Sequence, residues 1–353
     1  MMKMDGASLR AAYIEAGQVS LFRGLERFLA TRPEQIPPKL AKNFKALLEE
    51  MPASEIRALL LDGLGGNSDA LASIDQIGVW GAYRQARTGS FAGNSRVWVD
   101  HCVEVESASK GIDTLLRESA YAAAADAVKT SPMLTLYVSE AALQQLAKAT
   151  TEAEALLPRT AGLCELLLAQ VARVDVILRN QTSSHDNHIG FETLLAARIK
   201  QVCNPGRELF RRMKATLGAQ SISNLLDWAQ AVKTGMDVVD ESTLKRWSSG
   251  REFPREEKLQ LFVETTLKNR GLDKDDRAFQ HIGTQYWAAR RLHKLLEIVR
   301  RFLTAEQSSP RDVGLWSSLL GGPCAEQWVQ QRYTFWLSHW QASNIGAGNT
   351  GTG

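Results

Sequence analysis

Residues 239–254, VDESTLKRWSSGREFP, carry start, body and stop signals for one short helix, and any fold of this chain has to accommodate it. Asp240 is suited to the N-cap, where its carboxylate accepts from the free N–H of Ser242 or Thr243. Gly250 is suited to the position just past the end, where a left-handed backbone is wanted. The two bracket a helix over 241–249. At about 100° per residue, Leu244 and Trp247 fall on one side while Ser242, Lys245, Arg246 and Ser249 fall on the other. One face is apolar, the other short, polar and cationic. Arg251 and Arg255 follow in the turn. Such a helix suits a DNA major groove, where hydroxyls, Lys and Arg reach base edges and phosphates.

The run Ser242-Thr243-Leu244, Arg246-Trp247, Gly250, Pro254 and Leu259 resembles the third helix and next turn of the Cro and phage-repressor helix-turn-helix family. That family's pattern is S-T-[IL]-x-[RK]-[WIL]-x-x-G-x-x-x-P-x-x-x-x-L, on a five-helix α fold. The match covers about 25 residues closely and residues 205–265 more loosely. It implies that Glu241, Ser242, Lys245 and Arg246 face duplex DNA while Leu244, Trp247, Leu259 and Phe262 pack inside. Ser242, Lys245 and Arg246 would contact base edges, and Arg251, Arg255 and Arg211 would hold the sugar-phosphate backbone.

Upstream, 207–217 (RELFRRMKATL) supplies a first helix with Leu209, Phe210, Met213 and Leu217 inward and Arg207, Arg211, Arg212 and Lys214 outward. Residues 221–232 supply a second, capped by Ser221 or Gln220. The connection AVKTGMDVVD is longer than the family's tight turn. Charge supports the same region. Residues 200–301 hold 20 Lys and Arg against 13 Asp and Glu, a net of +7, whereas the chain as a whole is at +3. Phosphate neutralisation needs a cationic footprint of this kind, although a solvated surface can carry as much.

The 353 residues suffice for two or three domains, and an apolar share of 44% with 23% charged residues is that of a globular protein. Cys102, Cys164, Cys203 and Cys324 lie far apart with no C-x-x-C, which argues against a zinc ribbon or a disulfide scaffold and for a reducing compartment. No signal-like or membrane-length apolar run occurs, so a cytoplasmic protein without a membrane partner is expected.

Helical periodicity dominates, giving a mainly α fold of multi-helix bundle units with the helix-turn-helix-like segment embedded. Residues 7–32, 39–51 and 54–64 read as helices between breakers at Pro33, Pro37, Pro38, Pro52, Gly65 and Gly66. Segment 96–106 alternates Val as a strand does, yet Asn94 or Ser95 can cap a helix there, and the helix is the preferred reading. Segments 131–149 and 152–180 are amphipathic helices. Residues 284–303 form a packed basic helix with Trp287, Leu292, Leu295, Leu296, Val299 and Leu303 on one stripe and Arg290, Lys294 and Arg301 opposite. The last helix places Trp328, Trp336 and Trp340 on a common face, which serves either the core or a homo-oligomer or protein partner. The expected division is 1–90, 95–190, 205–270, 275–340 and a flexible tail over 341–353.

Catalytic patterns are weak. His185, Asp186, His188 and Glu192 cluster in SSHDNHIGFE, but a hydrolytic metal site needs further ligands at defined spacing, and a polar loop explains the same letters. Gly63 to Gly66 follow a helix and lack the Lys-Ser/Thr of a phosphate loop. His101 and Cys102 are adjacent, so their side chains diverge. No cofactor, metal or enzymatic activity is expected. A DNA-binding regulator or accessory factor is the leading reading. A helical scaffold without DNA binding stands as the alternative, and a metal-dependent hydrolase using His185 and His188 as a remote one.

Overall fold

The structure is a computed structural model that describes residues 42, 45, 55–67, 69, 70, 73, 105, 107–109, 111, 112, 114–116, 118–181, 190–195, 197–199, 202–230, 239–271, 277–308 and 324–343. The protein is mainly α, as its periodicity requires. The chain divides into two compact units, one of residues 1–90 and 94–166, the other of 91–93 and 167–353. The helix Glu152–Gln181 contains the division. The expected segments 205–270 and 275–340 fall together in the second unit. Expected helices at 7–32 and 39–51, and the strand-or-helix segment at 96–104, lie outside the described residues apart from the helical residues 42 and 45. Among the described residues no helix is long and apolar enough to cross a membrane.

In the first unit, α1 (Glu55–Leu64) ends in the turn of Gly65 and Gly66, and Val105 and residues 107–109 are helical. The periodic segment 131–149 does not form one helix. A 3-10 turn at Leu134–Leu136 precedes Ser139, whose hydroxyl caps a second helix through the Ala142 N–H. That hydroxyl satisfies a donor that a continuous helix would have satisfied by itself, so the chain breaks there. The helices α2 (Tyr121–Thr130) and α3 (Glu140–Lys148) pack against each other. Their small residues, with Tyr121, Val128, Leu143 and Leu146, make a core that Ile112 and Ala155 complete. Helix α4 (Glu152–Gln181) opens on a reciprocal cap: the Glu154 N–H bonds Thr151 Oγ1 at 3.3 Å and the Thr151 N–H bonds the Glu154 carboxylate at 3.2 Å.

The second unit is organised on the long helix α9 (Arg277–Ser308). Trp287, Leu292, Leu295, Leu296, Val299 and Leu303 are all buried along it, as the stripe requires. Packed around it are α5 (Pro205–Thr216), α8 (Glu256–Asn269), α10 (Ala325–Ala342) and the 3-10 segment Phe191–Leu195. The helices α6 (Ile222–Gln230) and α7 (Glu241–Ser249) complete the set, with α7 packed on both α5 and α6. A two-stranded antiparallel pair, Ala197–Ile199 with Val202–Cys203, leads into α5. Periodicity gave no sign of it, because strands of three and two residues are too short to show any.

A buried polar network lies within this unit. The Asp175 carboxylate, fully buried, accepts from Arg179 at 3.1 Å, from the Phe191 N–H at 2.9 Å and from the Tyr333 hydroxyl at 2.5 Å. Burial, and then the Asp175 charge, push the Tyr333 hydroxyl well above its usual pKa. Arg212 joins from α5, donating to the Gly190 carbonyl at 2.8 Å and to Gln285. The expectation that Arg212 faces outward is therefore corrected: it is 3% exposed. Arg212 lies three residues beyond Leu209 and shares its helix face with Glu208, also buried. Burial lowers its pKa to about 10, which leaves it charged at neutral pH.

Candidate nucleic-acid interface

Helix α7 spans the residues its signals dictate. Asp240 accepts from the Thr243 N–H at 2.6 Å, and this bond, helped by those of Thr243 and Ser242 side chains, holds its carboxyl below the usual range. Gly250 takes the left-handed backbone with φ of 69° and closes the helix through bonds to the Arg246 and Trp247 carbonyls. A side chain at Gly250 would also collide with Asn204, whose Nδ2 comes within 2.2 Å of an added Cβ. Glycine is thus required there by conformation and by space.

Beneath α7, Leu244 and Trp247 are buried, and Trp247 meets Phe262 edge to face with centroids 6.2 Å apart. Leu259 and Phe262 are buried as expected. Helices α5 and α6 both pack on α7. Ser221 caps α6 through the Asn224 N–H at 3.1 Å, and Asn224 returns the bond to the Ser221 N–H. Residues 231–238, the long connection between α6 and α7, lie outside the described residues.

The turn after α7 is held by residues far away in sequence. Asn204 caps α5 through the Arg207 N–H at 3.0 Å and donates from its amide to the Gly250 carbonyl at 3.3 Å. Phe253 lies against Gly206, where an added Cβ would meet its ring at 3.0 Å, and against the rings of Tyr286 and His293. Tyr286 donates to the Pro254 carbonyl at 3.2 Å while accepting from Arg290 at 2.6 Å. Burial lowers the His293 pKa, so this stack carries no added charge at neutral pH. Asn204-Pro205 could have been read as a cap followed by a first-turn proline. Phe253 and Tyr286 gave no sequence signal, since only the fold brings them together.

All seven residues singled out for DNA are solvent-exposed: Glu241, Ser242, Lys245, Arg246, Arg251, Arg255 and, on α5, Arg211. Their charges are partly matched. Lys245 pairs with Glu241 at 2.8 Å one turn away, Arg246 with Glu252 at 2.8 Å, and Arg211 with Glu208 at 2.8 Å. The Lys245 and Arg246 pairs are exposed on both sides, so each is worth about 1 kcal/mol at most and exchanges readily for another anion, whereas the Glu208 carboxylate that holds Arg211 is buried.

The other singled-out positions separate from this face. Trp328, Trp336 and Trp340 are buried, and the Trp340 indole donates to the Ala169 carbonyl at 2.7 Å. The stripe is therefore core of the second unit, and of the helix's large apolar side chains only Phe335 stays exposed. His185, Asp186 and His188 lie outside the described residues, while Glu192 is bound to Arg179. No cluster of His, Cys, Asp and Glu suited to a metal occurs among the described residues. Cys164 and Cys203 are buried free thiols, and burial pushes the Cys203 thiol up to about 11. Fold and site together define a mainly α protein in which α7 presents an exposed polar, cation-bearing face. Comparison with protein-family models, curated proteins and solved structures returns no match for the chain.

Proposed function

We propose that the protein binds duplex DNA through α7 and the turn that follows, as a regulator or DNA-associated accessory factor. One observation carries this reading: every residue assigned to DNA is exposed, while the Leu244 and Trp247 side chains that seat the helix are buried. Lys245, Arg246 and Ser242 supply base-edge contacts. Glu241 shares that face, where a carboxylate can accept from a cytosine amine. Arg251, Arg255 and Arg211 neutralise phosphates, each displacing counterions. Glu241 and Glu252 keep Lys245 and Arg246 ordered on this face, and the guanidinium and ammonium groups bind acceptors on the nucleic acid through charge-assisted bonds of the same kind.

The test is a fluorescence-anisotropy titration of the whole chain on random duplex DNA at two salt concentrations. Affinity is expected to fall steeply with salt, and Arg251→Ala or Arg255→Ala to reduce the log–log slope by about one each. Absence of binding at about 50 mM salt with tens of micromolar protein overturns the reading in favour of a scaffold.

A further inference from the structure

We infer that Arg246 is the residue of this face that reads a guanine, and that Glu252 is the positioning carboxylate that sets its guanidinium. The inference rests on the DNA-binding reading above. It comes from an inventory of donors. A guanidinium carries five N–H groups: one on Nε and two on each terminal nitrogen. In Arg246, Nε donates to Glu252 Oε2 at 2.8 Å, Nη1 to Ser242 Oγ at 3.3 Å and Nη2 to Thr243 Oγ1 at 2.8 Å. Each nitrogen is engaged once. Nε is held by a carboxylate, whereas the two terminal nitrogens are held only by neutral hydroxyls, so their shared edge can be given over to the O6 and N7 acceptors of guanine in the major groove. Adenine offers one acceptor and one donor at that edge, thymine one acceptor, and cytosine a donor, so none of them satisfies both. The side chain is 47% exposed, which leaves those donors approachable.

The supports of Arg246 are themselves fixed. Ser242 donates its hydroxyl proton to Asp240 Oδ1 at 2.9 Å, which leaves its lone pairs to accept from Arg246. The Glu252 N–H bonds the Arg246 carbonyl at 3.4 Å, beside the Arg251 N–H on the same oxygen at 3.0 Å. The turn that carries Glu252 is pinned at both ends, by Asn204 on the Gly250 carbonyl and by Tyr286 on the Pro254 carbonyl. A side chain held in this way loses less rotamer freedom on binding than a mobile one. Lys245 presents the contrast. Its ammonium has Glu241 as its ion-pair partner, is 63% exposed and offers no planar edge. It serves as a point charge for phosphate or for any acceptor within reach.

The experiment is selection of duplexes from a randomised library by the full-length wild type and by Arg246→Lys, Glu252→Ala and Glu252→Gln, with random-duplex affinities and thermal melts measured alongside. The wild type is expected to enrich a motif containing an invariant guanine. Arg246→Lys and Glu252→Ala are expected to lose discrimination at that one position by about tenfold or more while the rest of the motif persists. Glu252→Gln keeps an acceptor for Nε and retains part of the preference. Removal of the Glu252 charge should tighten binding to random duplex, the opposite sign to its effect on discrimination, and no loss of fold produces that combination. Retention of the guanine by Arg246→Lys, or by both Glu252 variants, overturns the inference and leaves DNA binding standing. Absence of any duplex binding by the wild type overturns both.

Discussion

Helix α7 and the C-terminal helix α10 dispose of their tryptophans alike and present different outer faces. Trp247 on the one, and Trp328, Trp336 and Trp340 on the other, are buried against their own unit. What remains outside on α10 is neutral: Gln327, Gln331, Thr334, Phe335 and Ser338 are exposed, and Arg332 is drawn over the Phe335 ring at 4.2 Å. What remains outside on α7 is Glu241, Ser242, Lys245, Arg246 and Ser249. An aromatic stripe at helical spacing thus reports how a helix is seated. The outer face decides what it can meet, because only exposed charge is available to an anionic partner without first being taken out of a core.

The contrast can be broken, beginning with the largest effect. Trp336→Ala empties a site that is 1% exposed and should cost about 3–5 kcal/mol in a urea unfolding titration. A variant that instead remains as stable and changes its oligomeric state would return the stripe to an interface role. Asp175→Ala removes the acceptor shared by Arg179, Tyr333 and the Phe191 N–H. Stripping one partner from a buried charged network should cost about 3–5 kcal/mol, read in the same assay. Leu244→Ala should cost about 2–5 kcal/mol, since α7 is held to its unit through this side chain and Trp247. Lost DNA affinity in that variant would accompany lost fold.

A smaller effect is one of pH. The Asp240 carboxyl is lowered in the folded chain by its bond to the Thr243 N–H. A lowered acid stabilises the fold fully above its unfolded value, about pH 4, and that contribution disappears as pH falls through the folded value. Acid unfolding of Asp240→Ala should accordingly lack this part of the wild-type slope, while the two proteins run parallel above about pH 5. The smallest effect sharpens the comparison most. Lys245→Ala should change stability by no more than about 0.5 kcal/mol in denaturant, because its pair with Glu241 is exposed. On the DNA-binding reading proposed above, its effect is confined to duplex affinity, measured in the same anisotropy titration.

How far the sequence could be read depends on the range of the interactions involved. The bounds of α7 were legible because every signal that sets them, Asp240, the Leu244 and Trp247 spacing and Gly250, lies within a dozen residues. The exposure of Ser242, Lys245 and Arg246 followed from the same periodicity. Arg212 was misread because a charged letter outweighed its position one turn from Leu209 on the buried face. Residues 131–149 were misread because Ser139 caps a helix from inside a run that is periodic throughout. The core seating of the Trp stripe depends on contacts such as that of Trp340 with Ala169, 171 residues away in sequence.

The sequence by itself determined a mainly α chain, the capped helix at 241–249 and the polar, cation-bearing character of its outer face, since caps, turns and amphipathic spacing are local. The tertiary structure decided the rest. It set the turn after α7 against Asn204, Gly206 and Tyr286, placed Glu252 on Arg246, and drew Asp175, Tyr333 and Arg212 into one buried network. The physical reason is that each of these contacts depends on where separate helices come to lie, and a burial pattern states which faces are covered without stating by what.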